Sequence, residues 1–128
     1  MNPTIQVIKN HRSIRSFLDK DLPADTLQAI IDAAQAMPTS INGQQVSLVI
    51  VRDKATRSKL AELCGGQPWV AAAPVFILFV ADFYKTSLAA EINGRTQVIH
   101  ESAEGELVGI LDSGIAMGGA IVAAESMG

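Results

Sequence analysis

The chain has 128 residues, a formal net charge of -3 and 48% hydrophobic residues. That length suits one domain or part of one, and the apolar share supports a packed core over a disordered chain. The mild acidity excludes nucleic acid or an anionic membrane surface as a general partner, so any anion must be caught locally by a few placed cations.

Asn2-Pro3 reads as a cap followed by a proline at the first helical position, and Ile5, Val7 and Ile8 predict a short amphipathic helix ending near Asn10. Residues 12–17 follow as an extended segment, because Ser13 and Ser16 discourage helix. A second helix is predicted over 23–37, where Leu27, Ile30, Ile31 and Ala34 form one buried stripe. Pro38 stops it, since the residue before a proline avoids the helical region. The polar loop PTSINGQQ, residues 38–45, then leads into a strand over 46–51.

Asp53 caps a third helix that ends at Gly65-Gly66. Pro68 starts a short helical turn through Trp69, with Gln67 at its N-terminus and Trp69 read as core packing. The run VFILFVA, 75–81, is continuously apolar, as in a strand covered on both faces. Residues 83–95 read as a loop with room for a helical turn. The last element, 106–127, is a long helix whose mostly apolar circumference predicts burial nearly all round.

Helices around a central sheet give an α+β architecture. The start of the chain lacks the long apolar run of an export signal. The uncharged stretch 113–124, bounded by Asp112 and Glu125, is short of the roughly 20 residues that span a bilayer. The lone Cys64 excludes an internal disulfide and suits a reducing cytosol, where it serves as a small core residue. A soluble cytoplasmic protein with no membrane partner is the expectation. Two strands fall short of the usual sheet, and Gly128 resembles a helix cap. Residues 1–128 are therefore expected to be the N-terminal part of a single larger domain, incomplete at its C-terminus.

Three blocks carry chemistry. NHRSIRSF, residues 10–17, places His11, Arg12, Ser13 and Arg15 together, and arginine forks with serine hydroxyls suit a phosphate; a solvated basic turn is the plain alternative. The loop MPTSINGQQ, residues 37–45, gathers Thr39, Ser40, Asn42 and two glutamines, groups able to bond a planar heterocycle or simply to face water. In GGQPW, residues 65–69, two glycines permit close backbone approach and Gln67 presents an amide; a helix end followed by a proline-started helix reads equally well.

Neither nucleotide-binding glycine motif is present, and no His/Cys set has metal-ligand spacing, His11 and His100 being isolated. Glu101, Glu104 and Glu106 read as a solvated helix start, and no catalytic acid, base or nucleophile stands out.

Taken together, HRSIRSF, PTSINGQ, GGQPWV and the closing AAESMG resemble, in order and spacing, the nitroreductase / flavin reductase family. The branch resembled is that of NADPH-dependent, oxygen-insensitive nitroreductases and FMN reductases. The resemblance implies a mixed sheet between helices, with a long central helix in a homodimer core that residues 106–127 match. It implies FMN bound without covalent attachment at the dimer interface. His11, Arg12, Ser13 and Arg15 would meet its phosphate and ribityl chain, Thr39, Ser40 and Asn42 its ring, often from the partner subunit, and Gln67 the ring or ribityl oxygens.

Hydride would pass from NADPH or NADH to the flavin and on to a nitroaromatic, a quinone or free flavin, in ping-pong fashion. A flavin-dependent dehalogenase, a biosynthetic dehydrogenase or a non-catalytic flavin-binding or dimerisation fragment are the alternatives. The family continues past this point with a glycine-rich turn, further strands and a basic pair completing the phosphate site. The glycines and alanines of 105–124 permit close helix approach, suiting a dimer interface or a monomer core alike.

Overall fold

The structure, a computed structural model, describes residues 2–128. Six helices and a two-stranded sheet are present among them: α1 (Pro3–Lys9), α2 (Ala24–Gln35), β1 (Val46–Val51), α3 (Lys54–Leu63), α4 (Pro68–Ala72), β2 (Phe76–Ala81), α5 (Phe83–Ile92) and α6 (Ala103–Ser126). Single 3₁₀ turns at Ser40–Asn42 and Ile99–Glu101 precede β1 and α6.

The helix starts follow from their capping side chains. Asn2 accepts from the Thr4 N–H at 2.9 Å, Asp53 from the Thr56 N–H at 2.7 Å and Ser102 from the Gly105 N–H at 3.1 Å. The Thr56 hydroxyl, donating to Asp53 at 2.6 Å, and then the Thr56 N–H hold the Asp53 carboxyl below its ordinary range. Buried Arg57 of α3 donates through Nη1 to the carbonyls of Ala73 (2.5 Å) and Pro74 (2.6 Å), fastening α3 to the chain leaving α4.

Strands β1 and β2 pair antiparallel, with Leu48 opposite Phe79 and Ile50 opposite Ile77. Leu48, Ile77 and Phe79 pack against Ile30, Ala34 and Ala120, so the core lies between one sheet face, α2 and α6. Val49 opposes Leu78 on the other face, and both are exposed. The expectation of a strand covered on both faces is thus corrected for the described residues.

Two helical expectations also change. Residues 83–92 form a full helix instead of a loop. Asp82 caps it by accepting from the Lys85 N–H at 3.0 Å, while the Ser47 hydroxyl donates to the second carboxyl oxygen at 2.6 Å. The 24-residue α6 starts three residues earlier than expected and buries only the stripe Gly105, Gly109, Asp112, Ala116 and Ala120.

Apart from Asp112 its buried positions are all small residues, and most of its large apolar side chains face outward, unlike a helix buried all round. A Cβ on Gly109 would come within 2.8 Å of the Ala81 Cβ, and one on Gly119 within 2.6 Å of the Met37 side chain, so these glycines set how closely α6 lies on its neighbours. By length and composition alone α6 could cross a membrane, contrary to the count made from 113–124. Here it packs along α2 with Asp112 buried at its middle.

Candidate functional site

The first block leaves α1 as an exposed segment without helix or strand, anchored at both ends. The His11 Nδ1–H donates to Glu125 Oε1 at 2.7 Å, tying the segment to the C-terminal end of α6. Arg12 Nη1 donates to the carbonyls of His11 (2.7 Å) and Asn10 (3.3 Å). The Arg15 guanidinium lies over the Trp69 ring, 5.6 Å from its centroid. Among the described residues neither Arg12 nor Arg15 has a carboxylate within 4.0 Å. Arg12 is turned to backbone carbonyls of its own segment and Arg15 to an aromatic face, and Ser13 between them is exposed. A cleft lined by Val7, Asn10, Arg12, Ile14 and Glu125 opens beside the first of them.

The stacking of Arg15 on Trp69 brings the third block to the first. Gln67, two residues before Trp69, donates from Nε2 to the Cys64 carbonyl at 2.8 Å, which leaves its Oε1 as the free end of the amide. Trp69 is therefore a platform for a cation as well as a packing residue.

The second block lies elsewhere. The Ser40 N–H donates to both oxygens of Asp112, at 3.2 and 3.1 Å. Thr39 Oγ1 accepts from the Gln44 N–H at 3.0 Å, and Asn42 Oδ1 accepts from the Gln44 side chain at 3.4 Å. Three non-glycine residues of this loop have positive φ: Ile41 (51°), Asn42 (54°) and Gln44 (54°). The loop edges its own cleft, with Met37, Pro38, Thr39, Asn42, Gln44 and Lys85 along the wall.

Asp112 and Glu125 lie roughly 20 Å apart along α6, at 1.5 Å per residue. Since Ser40 is bound to one and His11 to the other, a single chain keeps the two blocks at separate stations on the helix.

The profile of the Nitroreductase family matches residues 8–128, taking in all three blocks. The chain belongs to the nitroreductase family. A relative called FMN reductase [NAD(P)H], from Bacillus subtilis (strain 168), is 47% identical over 129 residues; the match takes in 100% of this chain and 52% of that protein. The solved structure of NfrA2 from B. megaterium superimposes with a TM-score of 0.98 at 44% identity, over 100% of this chain and 52% of that one. The NADPH:FMN oxidoreductase from Vibrio harveyi complexed with NAD+ gives 0.89 at 38% identity, over 99% and 53%. The chain thus spans about half the length of the curated relatives it matches.

Within this nitroreductase-type fold, sequence reasoning overlooked Asp112 and Glu125, and it read Gln45 as one of the loop's polar groups facing a heterocycle or water and not as a buried partner of Asp112. Asp112 had a legible signal, being the one charge inside the apolar run 107–124, but was taken only as a boundary. Gln45 and Asp112 are both buried, and the Gln45 amide donates to Asp112. Glu125 gave no sign that it would reach a histidine 114 positions away.

Proposed function

We propose that the protein carrying this chain binds FMN and passes electrons from NAD(P)H to small-molecule acceptors: nitroaromatics, quinones or free flavin. The observation that carries this reading is the pair of guanidinium groups without counter-ions on the segment His11–Arg15, one stacked on Trp69, in a chain of the nitroreductase family.

The donor set fits a flavin nucleotide. Arg12, Ser13 and Arg15 supply charge-assisted and hydroxyl donors for a terminal phosphate. His11, its Nδ1–H held by Glu125, offers Nε2 as an acceptor to a ribityl hydroxyl. Gln67 Oε1 accepts from a ribityl hydroxyl or a ring N–H. Thr39, Ser40 and Asn42 line the ring from a second copy, because in their own chain they stand roughly 20 Å along α6 from the phosphate end.

Bound FMN supplies the hydride acceptance and donation; the protein supplies position and field. A single cleft serving donor and acceptor in turn gives ping-pong kinetics and needs no acid-base dyad. The second copy fits the open face of α6. Leu107, Ile110, Leu111 and Ile121 are exposed there, and Cβ atoms on Gly114 and Gly118 would meet nothing within 4 Å. Large apolar residues around glycines on an uncovered helix face suit close packing of two helices.

The test is purification of the protein followed by stopped-flow reduction. Retained FMN, reduced by NADPH and reoxidised by a quinone, is the expected result. A protein that neither keeps nor responds to FMN sinks the proposal.

A further inference from the structure

Asp112 occupies the middle of α6 with uncharged residues from Leu107 to Leu111 on one side and from Ser113 to Ala124 on the other. Only 4% of it is exposed. A buried acidic group is costly unless its oxygens are bonded, and here every named partner comes from one loop. The Ser40 N–H reaches both oxygens, and the side-chain amide of Gln45, itself 5% exposed, donates to Oδ2.

Between Ser40 and Gln45 the chain takes an unfavourable path. Ile41, Asn42 and Gln44 lie in the left-handed region, which an isoleucine or a glutamine rarely adopts. Ile41 is 97% exposed, so its own packing does not offset the cost. The loop is bonded within itself, Gln44 to Thr39 and Gly43 to Ser40, and is tied to the core at its two ends. Ser40 and Gln45 are fastened to Asp112, while the Asp82 N–H donates to the Gln45 carbonyl at 2.7 Å. A Cβ on Gly43 would strike the Gln45 side-chain oxygen, so the loop closes tightly over that amide.

We propose that Asp112 is a positioning residue: it fixes the Ser40–Gln45 turn from inside the core and so sets where Ser40 and Asn42 are presented to the flavin ring. The ring half of this statement rests on the FMN reading above; the turn half does not.

The full-length protein with FMN is the material for the test. Three forms are compared: unsubstituted, Asp112→Asn, and Asp112→Asn combined with Gln45→Glu. In the single variant one oxygen still accepts from Ser40, but the new amide faces the amide of Gln45. The double variant restores a donor-acceptor pair with the roles exchanged. Backbone hydrogen exchange, the visible spectrum of bound flavin, kcat, KM and FMN affinity are measured on each.

Asp112→Asn is expected to speed exchange of the Ser40 amide about 10-fold, the factor for trading a charge-assisted hydrogen bond for a neutral one. Exchange at Ala116 to Ala124 stays as it was, the flavin band shifts, kcat falls, and FMN affinity holds. The double variant returns exchange and spectrum toward the original. Unchanged Ser40 exchange, or acceleration spread evenly over α6, overturns the proposal. So does faster Ser40 exchange with spectrum and kcat untouched, which leaves a structural role only.

Should the unsubstituted protein bind no flavin, the FMN reading fails while the exchange data still decide the turn. Should Asp112→Asn not fold, Gln45→Met removes one of the turn's two ties to the acid: faster exchange at Asn42 to Gln44 with a shifted flavin band supports the proposal, and unchanged exchange there overturns it.

Discussion

Arg15 and Trp69 stack at 5.6 Å, joining two segments that lie 54 positions apart in the chain. A guanidinium lying on an aromatic face keeps its N–H edges free while losing much of its rotational freedom. The ring thus turns a mobile surface cation into a presented one.

Replacing the platform should cost less than replacing the cation. Trp69→Leu is expected to weaken FMN binding by about 2- to 5-fold, the equivalent of roughly 0.5–1 kcal/mol for an exposed cation–π pair. Combined with Arg15→Ala, it should add almost nothing, because the partner it orients is already gone. Flavin fluorescence titration of the two single variants and the double variant measures this coupling. Additive losses would separate Trp69 from Arg15.

The start of α6 depends on an absent side chain. A Cβ at Gly105 would collide with the Ile99 carbonyl in the 3₁₀ turn that feeds the helix. Gly105→Ala is therefore expected to destabilise the protein by about 1–3 kcal/mol, as overpacking against backbone does. Urea denaturation followed by circular dichroism gives the number. An unchanged midpoint would show that the turn yields freely.

Asp82 links β1 to α5, and its carboxyl is held below the ordinary 3.8, first by the Ser47 hydroxyl and then by the Lys85 N–H. A depressed folded-state value means that the contribution to stability is present above 3.8 and is lost as the pH falls through the lower folded value. Asp82→Ala should lower the melting temperature at pH 7 by a few degrees, about the effect of losing a helix cap. The gap from the unsubstituted protein should narrow as acid is added below that point. A gap that is constant down to the acid transition would mean that the carboxylate form is not what stabilises.

Much of this architecture is legible in the residues. β1 spans the residues expected, 46–51, after the polar loop, and the caps at Asn2 and Asp53 bond as their positions suggest. Helix α5 escaped notice because its apolar residues do not gather on one face and it buries no residue; its cap, Asp82, ends an apolar strand and so looks like a boundary. In α6, hydropathy pointed the wrong way, because close packing on α2 selects glycine and alanine while leucine and isoleucine are left outside.

The site divides in the same manner. The types of side chain in the first block suit an anion, as they would a solvated basic turn. Their spacing says nothing of Trp69, and no local pattern shows that Ser40 and His11 attach to different turns of α6. That separation is a property of packing, visible only once Asp112 and Glu125 are seen as the two attachment points.

The most direct measurement is a pair of titrations, FMN and riboflavin, on the protein and on its Arg15→Ala variant. If the segment around Arg15 holds the phosphate, FMN affinity drops about 10- to 150-fold, the range for one charge-assisted contact of roughly 1.5–3 kcal/mol, while riboflavin affinity stays where it was. Equal binding of the two flavins by the unsubstituted protein, or FMN affinity indifferent to Arg15, would contradict the account.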